Sequence, residues 1–193
     1  MDDALQQLQK FINAINPLNE DEWNSFAAAW KPFSAKRKTM LTTTGETEKY
    51  LYFVIHGVQR AFYMHHDKEA TIVFTYPYSF SGVADSFLLQ SPSKYYFETL
   101  TGSEFLRTAH QQILELMEKY RNIEKLILKS SAAALHGVLQ RQIELQCFSA
   151  EEKFLALLHR SPHVLSLIPH KYLASYLGID ATTFSKLLGS VRI

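Results

Sequence analysis

Scarcity is the first constraint on this chain. Cys147 is its only cysteine, which excludes an intramolecular disulfide, a four-cysteine iron–sulfur site and a cysteine-rich zinc site. No run approaches the roughly 20 apolar residues that cross a bilayer. The opening MDDALQQLQKF has neither the basic stretch nor the apolar core of a signal peptide, so the expectation is a cytoplasmic chain with no membrane partner. Charge of one sign is missing too: 20 basic residues face 19 acidic ones, so no global field announces nucleic acid or an acidic target. Cut before residue 150, the first part holds 15 basic and 16 acidic residues and the rest 5 and 3, a slight positive bias at the C-terminal end.

Hydrophobic residues make up 47% of the chain, enough for real cores, and they fall into three textures. Over residues 1–30, Leu5, Leu8, Ile12 and Ile15 recur at three- and four-residue steps until Pro17 interrupts them. A second short helix fits Asn19–Trp30, with Trp23, Phe26 and Trp30 on one face. From Pro32 to about Leu106 the texture turns to strand: YLYFVI (50–55), RAFYM (60–64), ATIVFTY (70–76) and KYYFETL (94–100) are rich in aromatic and β-branched residues. Turn residues separate them, with no helical pattern between, which indicates an antiparallel barrel or sandwich.

From His110 no glycine or proline occurs until Gly137, and Ile113, Leu116, Tyr120, Ile123 and Ile127 alternate at three and four residues, with Ala134 further along. That spacing predicts one helix of about 35 residues, some 50 Å long; its stripe is read as a parallel dimer seam, the alternative being a helix packed along its own barrel. The remainder, from Ser149, is helical in pattern. Ser149 and Glu152 form a capping box for a helix that buries Phe154, Leu155 and Leu158.

The segment HKYLASYLGIDATTFSKLL (170–188) carries the chemistry. Pro169 stands where a helix begins, Gly178 supplies the left-handed turn after it, and Asp180 caps the next helix. Small Ala174 fits a near-perpendicular helix crossing, over a core of Leu173, Leu177, Ile179, Phe184 and Leu187. This is the pattern of a helix-turn-helix, which an ordinary αα-corner can share, and the partner class expected from it is double-stranded DNA. The DNA-facing residues are then Lys171, Asp180, Ala181, Thr182, Ser185 and Lys186, with Arg192 following late. Lys186 reaches a phosphate or a guanine edge; Thr182 and Ser185 are short donors and acceptors. The adjacent His65 and His66 read as a solvated turn rather than a metal site, no cupin-type ligand set is present, and Cys147 reads as packed.

Barrel, long helix and C-terminal helix-turn-helix together resemble the Crp/Fnr family of transcription regulators over essentially the whole chain. The residues carrying the resemblance are GETEKYLYFVIHGVQRAFY (45–63), similar to the family's G-E…Y-x-x-x-x-G-x-x-R stretch; ADSFLLQSPSKYYFETL (84–100), similar to its phosphate-binding cassette; and SAEEKFLALLHRSPHVLSLIPHKYLASYLGID (149–180). The last two look like a branch common among Bacteroidetes. The resemblance implies an α+β fold: N-terminal helices and an antiparallel β-roll (a double-stranded β-helix) over 1–108, a dimerisation helix over 109–147, and a winged-helix-like domain over 148–193. It implies a non-enzymatic homodimer that binds DNA, needs no cofactor, takes an unknown small-molecule effector and leaves room for contact with RNA polymerase. The matching effector pocket is Ser81, Gly82, Val83, Ala84, Ser93, Lys94 and Tyr95. Family members that bind cyclic nucleotides carry glutamate after the cassette glycine and arginine further on; here Val83 and Ser93 hold those places, so a response to cyclic AMP is not expected. The alternative reading is a sensor or dimeric scaffold of the same fold with weakened or lost DNA binding.

Overall fold

The computed structural model describes residues 2–190; Arg192 lies outside them. Two N-terminal helices come first, α1 (Asp2–Ile15) and α2 (Glu20–Ala28). Asn19 caps α2 through a reciprocal box, its side chain accepting from Glu22 N–H at 2.9 Å while the Glu22 carboxylate accepts from Asn19 N–H at 2.9 Å. Eight strands follow: β1 (Lys31–Ala35), β2 (Met40–Thr42), β3 (Tyr50–His56), β4 (Gln59–His65), β5 (Lys68–Thr75), β6 (Phe80–Ser81), β7 (Tyr96–Thr99) and β8 (Ser103–Ala109). They form two four-stranded sheets ordered β1-β8-β3-β6 and β2-β7-β4-β5, with antiparallel pairing. The β-roll texture read from the sequence is therefore real. Its supposed lack of helices is not, because α3 (Ala84–Leu89) sits between β6 and β7.

The turns use residues suited to them. Gly57 has φ +95°, and a Cβ there would lie 2.4 Å from the Ser103 hydroxyl and 2.6 Å from the Gly102 carbonyl oxygen, so only glycine fits between β3 and β4. Ring upon ring fills the roll: Tyr52, Phe97 and Phe105 are buried together with Val54, Ala61 and Val83, and Phe33 packs against them.

The helix expected to run unbroken from His110 is in fact two. α4 (His110–Lys119) and α5 (Arg121–Cys147) meet at Tyr120, which is extended at φ −129°, ψ 109°. No glycine or proline marks the break. Its cause is tertiary: the Tyr120 hydroxyl lies 2.9 Å from the Ser25 hydroxyl on α2.

The stripe read as a dimer seam is corrected by the same packing. Ile113, Ile123 and Ile127 are buried within their own chain against Leu8, Ile12, Phe26 and Phe53, with Leu116 and Tyr120 packed at the edge of that core. They face inward because α1 and α2 cover them. Glu22, bonded to Asn122 Nδ2, and Asn16, bonded to the Asn122 carbonyl, fix the register. Ala134 is exposed.

After α5 come α6 (Ala150–Arg160), α7 (Val164–Leu167), α8 (His170–Leu177) and α9 (Ala181–Ser190). The Ser149–Glu152 box opens α6 as expected, but the buried face is Phe154, Leu157 and Leu158, with Leu155 turned to solvent. No wing strand occurs among the described residues of this region. Instead Ile168 N–H closes on the Val164 carbonyl at 2.9 Å, and both side chains are buried at helical spacing. The chain forms two compact units, 2–61 with 74–133 and 62–73 with 134–190. The tip of the β4–β5 hairpin thus belongs with the C-terminal helices, where Thr71 N–H donates to the Ser175 hydroxyl at 2.9 Å and that hydroxyl donates to the Glu69 carbonyl at 3.1 Å.

Candidate DNA-binding corner and effector cleft

In the C-terminal unit, α8 ends at Gly178, whose φ of +63° is the left-handed conformation that stops a helix. Ile179 N–H closes on the Ala174 carbonyl, and Asp180 starts α9 by accepting from the Thr183 N–H at 2.8 Å and its hydroxyl at 2.7 Å. Those hydrogen bonds, the Thr183 hydroxyl first, hold the Asp180 carboxyl below its ordinary range. Leu173, Ala174, Leu177 and Phe184 are buried, and the Phe184 ring meets Phe154 edge-on at 5.4 Å. Ile179 and Leu187 are only half-buried.

All six residues expected on the outward face are exposed: Lys171, Asp180, Ala181, Thr182, Ser185 and Lys186. They are not equally free. Asp180 is spent as a cap, Ser185 donates to the Ala181 carbonyl at 2.9 Å, and the Lys171 ammonium lies over the Tyr172 ring at 4.6 Å. Thr182 and Lys186 remain for an external partner.

A feature the sequence did not reveal braces this corner. Glu144 on α5 is buried and accepts from the two terminal guanidinium nitrogens of Arg160 at the end of α6. Arg141, one turn before Glu144, lies 3.6 Å from its carboxylate and stacks over the Tyr176 ring of α8 at 4.1 Å. Burial works to raise the Glu144 carboxyl, but the Arg160 bonds and charge outweigh it and hold the group below the usual range.

In the first unit, the seven residues expected to form an effector pocket do not form one surface. Ser81, Val83 and Ser93 are buried, Ala84 and Lys94 are exposed, and Gly82 (φ +123°) and Tyr95 are intermediate. Ser93 turns back on its own chain, its hydroxyl donating to the Tyr95 carbonyl at 2.8 Å and accepting the Tyr95 N–H at 2.9 Å. Val83 N–H donates to the Glu48 carboxylate at 3.3 Å. Glu48 also accepts from the Thr42 hydroxyl at 2.6 Å and from Tyr50 N–H at 3.2 Å. Burial pushes its carboxyl up, only partly offset by those donors. The protein thus supplies its own carboxylate at the cassette turn.

An open cleft of about 510 Å³ lies on the other side of Glu48, lined by Phe33, Thr42, Tyr50, Tyr52 and Arg107 among others; none of the seven expected residues is in its walls. The reading missed it because strand register, not sequence proximity, assembles it. Arg107 on β8 pairs with Tyr52 on β3, while its neighbour two along, Phe105, pairs with Phe33 on β1. Residues two apart share a face, so all turn into the roll.

The comparisons with known proteins agree with this architecture. Residues 32–120 match the family model of the cyclic nucleotide-binding domain. At the level of whole folds the chain is similar to FixK2 from Bradyrhizobium japonicum, at 15% identity over 83% of each chain and a TM-score of 0.72. It is similar also to CLP of Xanthomonas campestris, described as a c-di-GMP responsive global regulator, at 16% identity over 89% of this chain and 90% of that one, with a TM-score of 0.66. The catabolite activator protein of Thermus thermophilus matches at 23% identity over 91% of this chain and 87% of that one, with a TM-score of 0.55. At these identities the likeness establishes a shared fold, a cyclic-nucleotide-binding-type roll followed by C-terminal helices. A search among curated proteins finds no match. Among the described residues no helix is long and apolar enough to cross a membrane.

Proposed function

We propose that this chain is a DNA-binding transcription regulator of the Crp/Fnr type that works as a homodimer, with the roll as its regulatory module. The α8–Gly178–α9 corner carries this reading: it is a buried helix crossing whose outer side keeps Thr182 and Lys186 unspent. The dimer rests on α5. Leu128, Leu135, Val138 and Leu139 are 55–68% exposed at near-heptad spacing on one helix, which water does not favour. This row replaces the inward-facing stripe as the seam. Two such corners in a symmetric dimer would read half-sites about 34 Å apart.

Cyclic AMP is a poor candidate effector, since Ser93 is closed on its own turn and Glu48 places a carboxylate where an anion would approach the Val83 N–H. A contact with RNA polymerase fits the regulator reading but has no residue to carry it. The second reading, a sensor or scaffold with lost DNA binding, is favoured by one observation: Lys186 is the only cation of α9, so no arginine fork for guanine is present there.

Titrating the full chain into fluorescent duplex DNA of mixed sequence tests the choice. Binding that weakens steeply with salt, and at least tenfold loss for Lys186→Ala with the fold intact, support the regulator. No binding even at low salt leaves the sensor reading.

A further inference from the structure

We propose that the cleft around Arg107 is the effector site and that it binds a small organic anion, a carboxylate or phosphate ester on a flat or apolar body. The inference rests on the reading of the roll as a regulatory module, but not on DNA binding.

Four observations converge. First, the cleft volume of about 510 Å³ suits a small metabolite. Second, the Arg107 guanidinium is held between two rings, its carbon 4.0 Å from the Phe33 centroid and 4.2 Å from that of Tyr50. Rings cover its faces, and the N–H groups lie in its plane, the edge a carboxylate or phosphate engages with two parallel hydrogen bonds. Third, no carboxylate lies within ion-pair distance of Arg107 among the described residues, whereas Arg60, Arg121, Arg141 and Arg160 each have one. Fourth, the acids at the cleft are engaged elsewhere. Glu48 is occupied by Thr42, Tyr50 and Val83, and Glu46 accepts from Thr43 N–H. Lys49, exposed at the rim, adds a second cation.

The remaining walls define the body of the ligand. Phe33, Tyr50 and Tyr52 offer ring surface, and Thr39, Thr42 and Thr47 offer hydroxyls. Burial holds the Tyr52 phenol in its protonated form; its oxygen accepts from the Arg107 guanidinium, and its O–H is left to donate. Recognition of the anion has moved from the cassette turn to β8, and the built-in Glu48 carboxylate keeps anions from the old position.

Benzoate and phenyl phosphate serve as probes, with benzamide as the neutral shape control, titrated into the full chain by calorimetry and by NMR. One or both anions should bind with a dissociation constant of about 0.1–10 mM, as such small fragments do, and which of the two binds tells carboxylate from phosphate ester. Benzamide should bind at least tenfold more weakly. Arg107→Met should lose at least tenfold in affinity and Arg107→Lys should recover part of it. If the Met variant fails to fold, the wild-type NMR titration decides: perturbations at the Phe33, Tyr50 and Tyr52 rings support the site, and perturbations confined to other residues overturn it. No detectable binding of either anion up to about 100 mM, or unchanged affinity in a folded Arg107→Met, also overturns it. Loss of DNA binding with retained anion binding would sink only the regulator reading.

Discussion

The two compact units each bury a glutamate and partner it differently, although the roll also holds a buried ion pair, Arg60 with Glu98 at 2.5 Å. In the roll, Glu48 has no ion-pair partner among the described residues; hydroxyl and backbone donors surround it, and burial pushes its carboxyl up. In the C-terminal unit, Glu144 is buried too, but Arg160 and Arg141 hold it ionised. The roll satisfies the Glu48 carboxyl with hydroxyl and backbone donors alone. The C-terminal unit rests on a handful of apolar side chains and uses an ion network to hold α5, α6 and α8 in place.

The largest expected effect comes from emptying the smaller core. Phe184→Ala should cost about 3–5 kcal/mol, enough to unfold the C-terminal unit first and split the thermal transition in calorimetry, while ring signals of the roll persist. A single cooperative loss would show that the units do not differ as described. Glu144→Gln should follow: a broken buried pair typically costs about 3–5 kcal/mol, discounted here to roughly 2 because Arg160 is partly exposed. The wild-type contribution is present above the ordinary carboxylate pKa and is lost as pH falls through the lowered folded value, so acid denaturation should begin in this unit and the variant should lack that acid limb.

Gly178→Ala forces an alanine to φ +63° and sets its Cβ 3.2 Å from a Leu145 methyl, so a loss of about 1 kcal/mol is expected in urea denaturation. The smallest effect is that of Glu48→Gln. Its folded value is raised, so its contribution is full at low pH and fades as pH rises through that value. The variant should remove this slope and change stability at neutral pH by under about 1 kcal/mol; a loss of several would mean that Glu48 works as an ion after all.

How much of this the sequence disclosed depends on how local each cause is. The Asn19 and Ser149 caps, the Gly178 turn and the Asp180 cap are short-range patterns, and the structure has them where the residues indicate. The break at Tyr120 depends on Ser25, far away in the chain, and no breaker residue marks it. The stripe through Ile113, Ile123 and Ile127 has the spacing of a seam and of a core face alike. Only the helices that cover it decide between them. The cleft was invisible for the same reason: Phe33, Tyr52 and Arg107 meet through the register of three strands.

The bond between Thr71 and Ser175 joins residues 104 positions apart. A ribosome adding about 5–20 residues per second therefore finishes the hairpin tip some 5–20 s before its helical partner emerges. Through that interval the edge strand carrying Ile72 and Val73, both over 40% exposed even in the finished protein, is paired with β4 on one side only and lacks the Ser175 bond. The same logic governs truncation. A fragment starting at residue 134 would carry the whole α8–α9 corner but leave Ser175 without the strand it holds, so the shortest faithful version of the C-terminal unit needs the hairpin supplied as well.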